Sequence, residues 1–240
     1  MLQIRFTSDG YSAAMSPSRL LALALLSLAC LAASVARGSE ERSSPLARLS
    51  AAWSLLDDYS MTIETTEWTR GTAVQEVLRY AFRKPALARL EVVAGPRRGA
   101  VLVWRGGPKV VAYQRGFLLF KIVAGVTSAR VTSPRGNGIL TPNLGDVLDC
   151  FAAHGQNVRE SAGPSVDGAP SDAIALDYRG GSACPDDSSQ DRAVTRDVLY
   201  VSRDSGYVVE RERYEGDTLV ERYLIRDLVV NSNLPDSLFR

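Results

Sequence analysis

The chain has 240 residues and 26.0 kDa, with 45% apolar and 23% charged residues, which excludes a disordered chain and a multi-span membrane protein. Its 28 basic and 27 acidic residues leave a formal net charge of +1, too balanced to make an electrostatic footprint for nucleic acid. One histidine and three cysteines leave little material for a transition-metal site, so neither a metal nor another cofactor is expected.

The first element is a targeting segment. Leu20 to Ala36 is an uncharged run of 17 residues rich in Leu and Ala, preceded by the charge of Arg19. Ser34-Val35-Ala36 offers small residues where a signal peptidase reads, which predicts a signal peptide over residues 1–36 and a mature start at Arg37. Met15 is an alternative start. Taking Arg5, Arg19 and Asp9 away with this segment leaves 26 basic and 26 acidic residues. Two rival readings are a retained anchor, for which the run is short, and a lipid-modified Cys30. Ser27-Leu28-Ala29-Cys30 has the small residue before Cys, but Ser stands where Leu is usual.

Residues 37–240 read as a single domain. Ser44-Pro45 caps a helix in which Leu46, Leu49, Trp53 and Leu56 recur at helical spacing. Short strands follow. Tyr59, Met61 and Ile63 share a face; so do Leu78, Tyr80 and Phe82, and then Leu90 and Val92. Val101 to Trp104 and Val110 to Tyr113 flank the turn Gly106-Gly107-Pro108, and Phe117 to Val123 is apolar almost throughout. A second helix is predicted from Leu144 to His154, with Leu144, Val147, Leu148 and Phe151 on one face and Gly155 as its stop. Ala162 to Ser171 reads as a loop. Val198 to Val201, Tyr207 to Tyr214 and Leu219 to Val230 are the last strands.

Two cysteines stay in the mature chain, Cys150 and Cys184. An even pair in an exported chain predicts a disulfide, which would pin the loop at 180–191 to the second helix. Closing a loop of about 34 residues stabilises by about 3–4 kcal/mol on a chain-entropy argument. The alternative is a Cys150 nucleophile activated by His154 four residues on.

The pattern gives a mainly β fold with lid helices: an unclosed, strongly curved antiparallel half-barrel with the helices on its concave side. Two helices cover one face of such a sheet, and strands apolar on both faces suit a lipophilic cavity or a filled core equally. The expected lining is Leu78, Tyr80, Phe82, Leu90, Val92, Leu102 and Trp104, beneath Leu49, Trp53 and Leu56. Arg79, Arg83, Arg89 and Glu91 are expected to face water on the other side.

Several segments resemble the outer-membrane lipoprotein carrier proteins (LolA/LolB-like). They are Tyr80-Ala81-Phe82-Arg83-Lys84-Pro85, Arg89-Leu90-Glu91-Val92, and Gly95-Pro96-Arg97-Arg98-Gly99 leading into Val101 to Gly107. The closing Val229 to Phe239, with Leu234-Pro235-Asp236, is similar as well. The stretch around Cys184 is an addition to the family's common core. The resemblance implies a monomeric periplasmic carrier that holds an acyl chain or a lipidated protein in its cavity, passing between membrane-associated donor and acceptor proteins. It also admits an envelope sensor or interaction module that moves no lipid.

Other features read blandly. Asp186, Asp187 and Asp191 lack the spacing of a calcium loop. Arg97-Arg98 reads as an exposed hairpin tip. Glu210-Arg211-Glu212-Arg213 reads as a solvent face opposite Glu221-Arg222. His154 is the sole histidine and no Gly-x-Ser-x-Gly elbow occurs, so no enzyme is expected.

Overall fold

Turn chemistry sets the path of the chain. The computed structural model describes residues 43–178 and 194–240, leaving aside the side chains of 117–120. Helix α1 (Pro45–Ser54) starts where the Ser44 hydroxyl accepts from Ala47 N at 3.1 Å, with proline in its first turn. Strands β1 (Asp58–Thr69) and β2 (Thr72–Arg83) meet at Arg70-Gly71, both at positive φ, the two-residue turn that matches strand twist. β3 (Leu87–Ala94), β4 (Ala100–Trp104), β5 (Lys109–Gln114) and β6 (Phe117–Gly125) continue the meander. A strap, residues 126–143, then leads to α2 (Leu144–Ala153), whose first turn is capped by Asn143 Oδ1 accepting from Gly145 N at 3.1 Å.

The segment 162–171, expected as a loop, instead forms the turn and the adjoining strand ends of a hairpin. β7 (Val158–Val166) and β8 (Ala169–Asp177) are joined by Asp167-Gly168 at φ +50° and +84°. β9 (Arg196–Ser202), β10 (Val208–Glu215) and β11 (Thr218–Val230) complete the sheet. All neighbours are antiparallel, in the order β6-β5-β4-β3-β2-β1-β11-β10-β9-β8-β7. β6 and β7 are both edges, so the sheet is an unclosed, curved half-barrel with β1 at its centre.

The helices and strap lie on the concave side. Leu49 and Leu56 from the α1 region and Leu144, Val147, Leu148, Cys150 and Phe151 from α2 share one core with Tyr59, Tyr80, Leu90, Leu199 and Tyr223 of the sheet. The convex side carries a smaller core. There Phe239, 2% exposed, packs with Ala81, Val101 and Val103. It is brought there by the C-terminal tail, which ends in a 3₁₀ turn, Asp236–Phe239.

That tail corrects the expectation for the convex arginines. Arg79 is exposed, but Arg83 donates to Leu234 O at 2.8 Å, and Arg89 to the Tyr113 hydroxyl at 2.9 Å and Leu238 O at 3.3 Å. Arg105 Nε donates to Phe239 O at 2.7 Å. Three guanidiniums therefore satisfy carbonyls that a tail without ladder partners would leave open. Glu91 is also shielded, between Arg89 and Arg115.

Candidate binding site

The concave face has two chemically distinct ends. At one end β1, β2 and α1 converge on an aromatic cluster. Trp53 meets Tyr59 edge-on at 5.9 Å and Phe82 at 6.1 Å, and Tyr59 stands 6.0 Å from Tyr80 and 5.5 Å from Phe82. The Tyr59 hydroxyl accepts from Leu144 N at 3.2 Å, which ties the start of α2 to the sheet. Burial pushes the Tyr59 and Tyr80 phenols up from their ordinary range, so both stay neutral.

The structure brings the ten expected lining residues onto this one face. Leu49, Leu56, Leu78, Tyr80, Phe82, Leu90, Val92 and Leu102 are buried in the concave core, with Trp53 and Trp104 half-buried against it. The core is filled. A residual cavity of about 30 Å³ is bounded by Met61, Ile63, Leu144, Val147, Leu199 and Ile225, with Arg211 on one wall, and another of about 20 Å³ lies toward Glu67, Glu76 and Arg97. A drug-sized ligand needs roughly ten times the larger volume.

The other end is charged, a feature missed in the sequence. Glu210-Arg211-Glu212-Arg213 is not a solvent face: Arg213, Asp197 and Glu221 are 0% exposed and Arg211 only 6%. Arg211 grips Asp197 with Nη2 at 2.5 Å and Nε at 3.0 Å, and donates through Nη1 to Thr141 O of the strap at 3.1 Å. Arg213 reaches Glu221 at 3.1 Å and Asp197 at 3.7 Å. From the strap, Arg135 descends onto Glu221 at 2.8 Å and Glu215 at 2.5 Å. The Tyr223 hydroxyl donates to Glu221 at 2.7 Å.

Glu67 closes this end. Its Oε1 accepts from Asn137 Nδ2 at 2.7 Å, while Oε2 has no hydrogen-bond partner. Burial pushes its carboxyl up from the usual range, against the Asn137 and Ser133 hydrogen bonds, and Glu221 adds repulsion. Arg97 belongs here as well. Rather than marking an exposed tip, it binds Glu76 with Nε at 3.1 Å and Nη2 at 2.5 Å.

His154 Nδ1 lies 3.0 Å from Cys150 O and 3.9 Å from Cys150 Sγ. In the tautomer that donates to this carbonyl, Nδ1 is not free to take a proton from sulfur. Cys184 lies outside the described residues, as does the acidic stretch with Asp186, Asp187 and Asp191, and so does the segment carrying Cys30. Among the described residues no group of three His, Cys, Asp or Glu side chains is placed to hold a metal ion. Among them, too, no helix is long and apolar enough to cross a membrane.

No family model matches the chain, and no curated protein matches it either. Solved structures do. An uncharacterized conserved protein from Thermus thermophilus is 10% identical over 81% of this chain and 90% of its own, with a TM-score of 0.49. The lipoprotein LppX from Mycobacterium tuberculosis is 14% identical over 80% of this chain and 95% of its own, with a TM-score of 0.45. A LolA superfamily protein from Nitrosomonas europaea is 10% identical over 82% of this chain and 97% of its own, with a TM-score of 0.38. The likeness is one of fold; at these values it carries no argument about what binds here.

Proposed function

We propose that this chain is a non-catalytic, exported binding module that takes an acyl chain, of a lipid or of a lipidated protein, between α2 and the apolar end of the concave face. The observation that carries the reading is how that end is closed. Two helices of ten residues each, neither part of the sheet, cover an apolar face several strands wide, and the larger residual cavity lies along the seam beneath α2. In this closed state the cavity of about 30 Å³ admits no chain, so binding requires α2 to move outward. Transfer of each methylene from water contributes about 0.8 kcal/mol, enough to drive a long chain into an opened seam.

The same reading places residues 1–36 in a cleaved signal peptide, the mature protein in the periplasm as a monomer, and a disulfide between Cys150 and Cys184. Donor and acceptor proteins at the two membranes would be its partners. N-terminal sequencing of the exported protein should start at Arg37, and non-reducing peptide mapping should recover the linked cysteines.

The decisive experiment is titration of the methyl-labelled protein with palmitate below its micellar concentration. Methyl signals of Ile63, Val147, Leu199 and Ile225 should shift together. A second reading, an envelope sensor that binds a protein and no lipid, is favoured by the filled core. Native mass spectrometry after gentle purification separates the two: a co-purified lipid supports the carrier, whereas a lipid-free mass together with unshifted methyl signals rejects it.

A further inference from the structure

A hollow far larger than the concave one lies on the other side of the sheet. A groove of about 470 Å³ crosses the convex face, against about 30 Å³ beneath α2. Its origin is local. Ser60, Thr62 and Ala81 stand side by side on β1 and β2 and put small side chains at the floor. Leu234 and Leu238 of the clamped tail form an apolar wall.

Four charged side chains line the groove: Arg79, Arg89, Glu91 and Asp227. Arg89 and Glu91 pair with each other at 3.5 Å. Arg79 and Asp227 are exposed, and their side chains make no ion pair or hydrogen bond with the described residues. They flank Thr62 from opposite sides: Arg79 is its partner on β2, and Asp227 follows its partner Arg226 on β11. Asp227, at φ +51°, belongs to a bulge where Met61 alone faces two residues, and such bulges re-aim a side chain out of the ladder.

We propose that this groove is a second binding site, for a small zwitterion carrying a short apolar group. The oxyanion would sit on Arg79, the ammonium on Asp227, and the apolar part against Leu234 and Leu238. Either charge alone would leave the opposite wall group unmatched, and a neutral ligand would leave both. This site lies across the sheet from the concave seam, and its existence does not depend on the acyl-chain reading. Two sources share the chemistry, a phosphoethanolamine headgroup and an apolar amino acid.

Methyl-labelled protein titrated with lysophosphatidylethanolamine, leucine, octyl phosphate and octylamine tests it. At least one zwitterion should bind about 10-fold more tightly than the phosphate or the amine alone. Which zwitterion binds identifies the source. The shifted methyl groups should be those of Ala81, Leu234 and Leu238. Arg79→Ala should remove the advantage over the amine and Asp227→Asn the advantage over the phosphate. Asn tolerates the positive φ at 227, so the bulge survives the change. Octyl phosphate binding as tightly as both zwitterions overturns the proposal, as does binding that neither variant alters. Shifts confined to Ile63, Val147, Leu199 and Ile225 would assign the ligand to the concave seam and overturn it too, while leaving the acyl-chain reading intact.

Discussion

The two ends of the concave face solve the same problem with opposite chemistry. Under α1 and α2 the sheet presents Tyr59, Ile63, Tyr80, Phe82 and Leu90, and burial holds most of the cover down, with polar ties only at its margins, from Tyr59 to Leu144, Lys84 to Trp53 and Arg48 to Asp172. Under the strap it presents Asp197, Arg211, Arg213, Glu221 and Glu67, held by charge-assisted hydrogen bonds between four strands and the cover. The first contact is non-directional and tolerates sliding of a helix. The second is specific in angle and distance, and moving it would strand buried charge. If part of the cover moves, it is therefore α2, with the strap as its fixed end.

The strongest way to break this comparison is Arg213→Ala. It removes the fully buried cation between Asp197 and Glu221, leaving one to Arg211 and the other to Arg135, and should cost about 3–5 kcal/mol in urea denaturation. Arg213→Leu combined with Glu221→Leu should cost less than Arg213→Ala alone, because the charge and its partner leave together. If Arg213→Ala costs no more than a surface change, the charged end is no fixed point.

Next in size is Leu49→Ala at the apolar end, expected to cost about 2–5 kcal/mol through lost transfer and the void left behind. The cost should be the same at pH 5 and pH 8, since burying an aliphatic side chain involves no proton. A pH-dependent cost would show that the two ends are energetically one network.

The apolar end was legible in the sequence, and the charged end was not, for a definite reason. Tyr59, Met61 and Ile63 alternate without interruption, so period two assigns their face directly. On β10 the register slips between Val208 and Glu210. One extra residue exchanges the faces. Val208 stands inward opposite Val201, yet Arg211 and Arg213 follow it inward where strict alternation would place Glu210 and Glu212. A bulge of this kind has no signature in composition.

The β7–β8 hairpin was missed differently. Beyond Val158, Val166, Ile174 and Leu176 its strands carry only small or polar side chains and proline, so the segment has the Gly-, Pro- and Ser-rich composition of a loop. Asp167-Gly168 was the available signal, the dipeptide that fits both central positions of a tight hairpin turn. The convex groove also escaped, since it depends on where the tail lies across the strands.

A smaller effect tests the sign of the electrostatics. Burial raises the Glu67 carboxyl above its unfolded value, so the folded chain binds that proton more tightly than the unfolded chain. Folding stability should therefore fall as pH rises from the unfolded value through the raised one, and stay lower at neutral pH. Glu67→Gln keeps an oxygen for Asn137 and removes the charge. It should be more stable than the parent at neutral pH and equal to it at low pH, which removes this part of the pH profile. A variant that is less stable at neutral pH would mean that hydrogen bonds from Asn137, Ser133 and the Arg135 backbone stabilise the carboxylate more than burial penalises it.

The smallest expected effect concerns what keeps α1 seated at the apolar end. Lys84 Nζ lies 4.5 Å from the centre of the Trp53 ring and donates to Trp53 O at 2.8 Å, so one cation holds both the face and the backbone of that residue. The ring in turn packs against Tyr59 and Phe82. Lys84→Met keeps most of the aliphatic stem and removes the charge, a loss of about 0.5–1 kcal/mol for the cation–ring contact. Because the aromatic packing persists, the variant should fold normally, with the Trp53 indole signal shifted and faster hydrogen exchange confined to Leu46–Leu55. Exchange that quickens equally in α2 would show the two helices moving as one cover, and the seam beneath α2 would then no longer be the single place where the concave face opens.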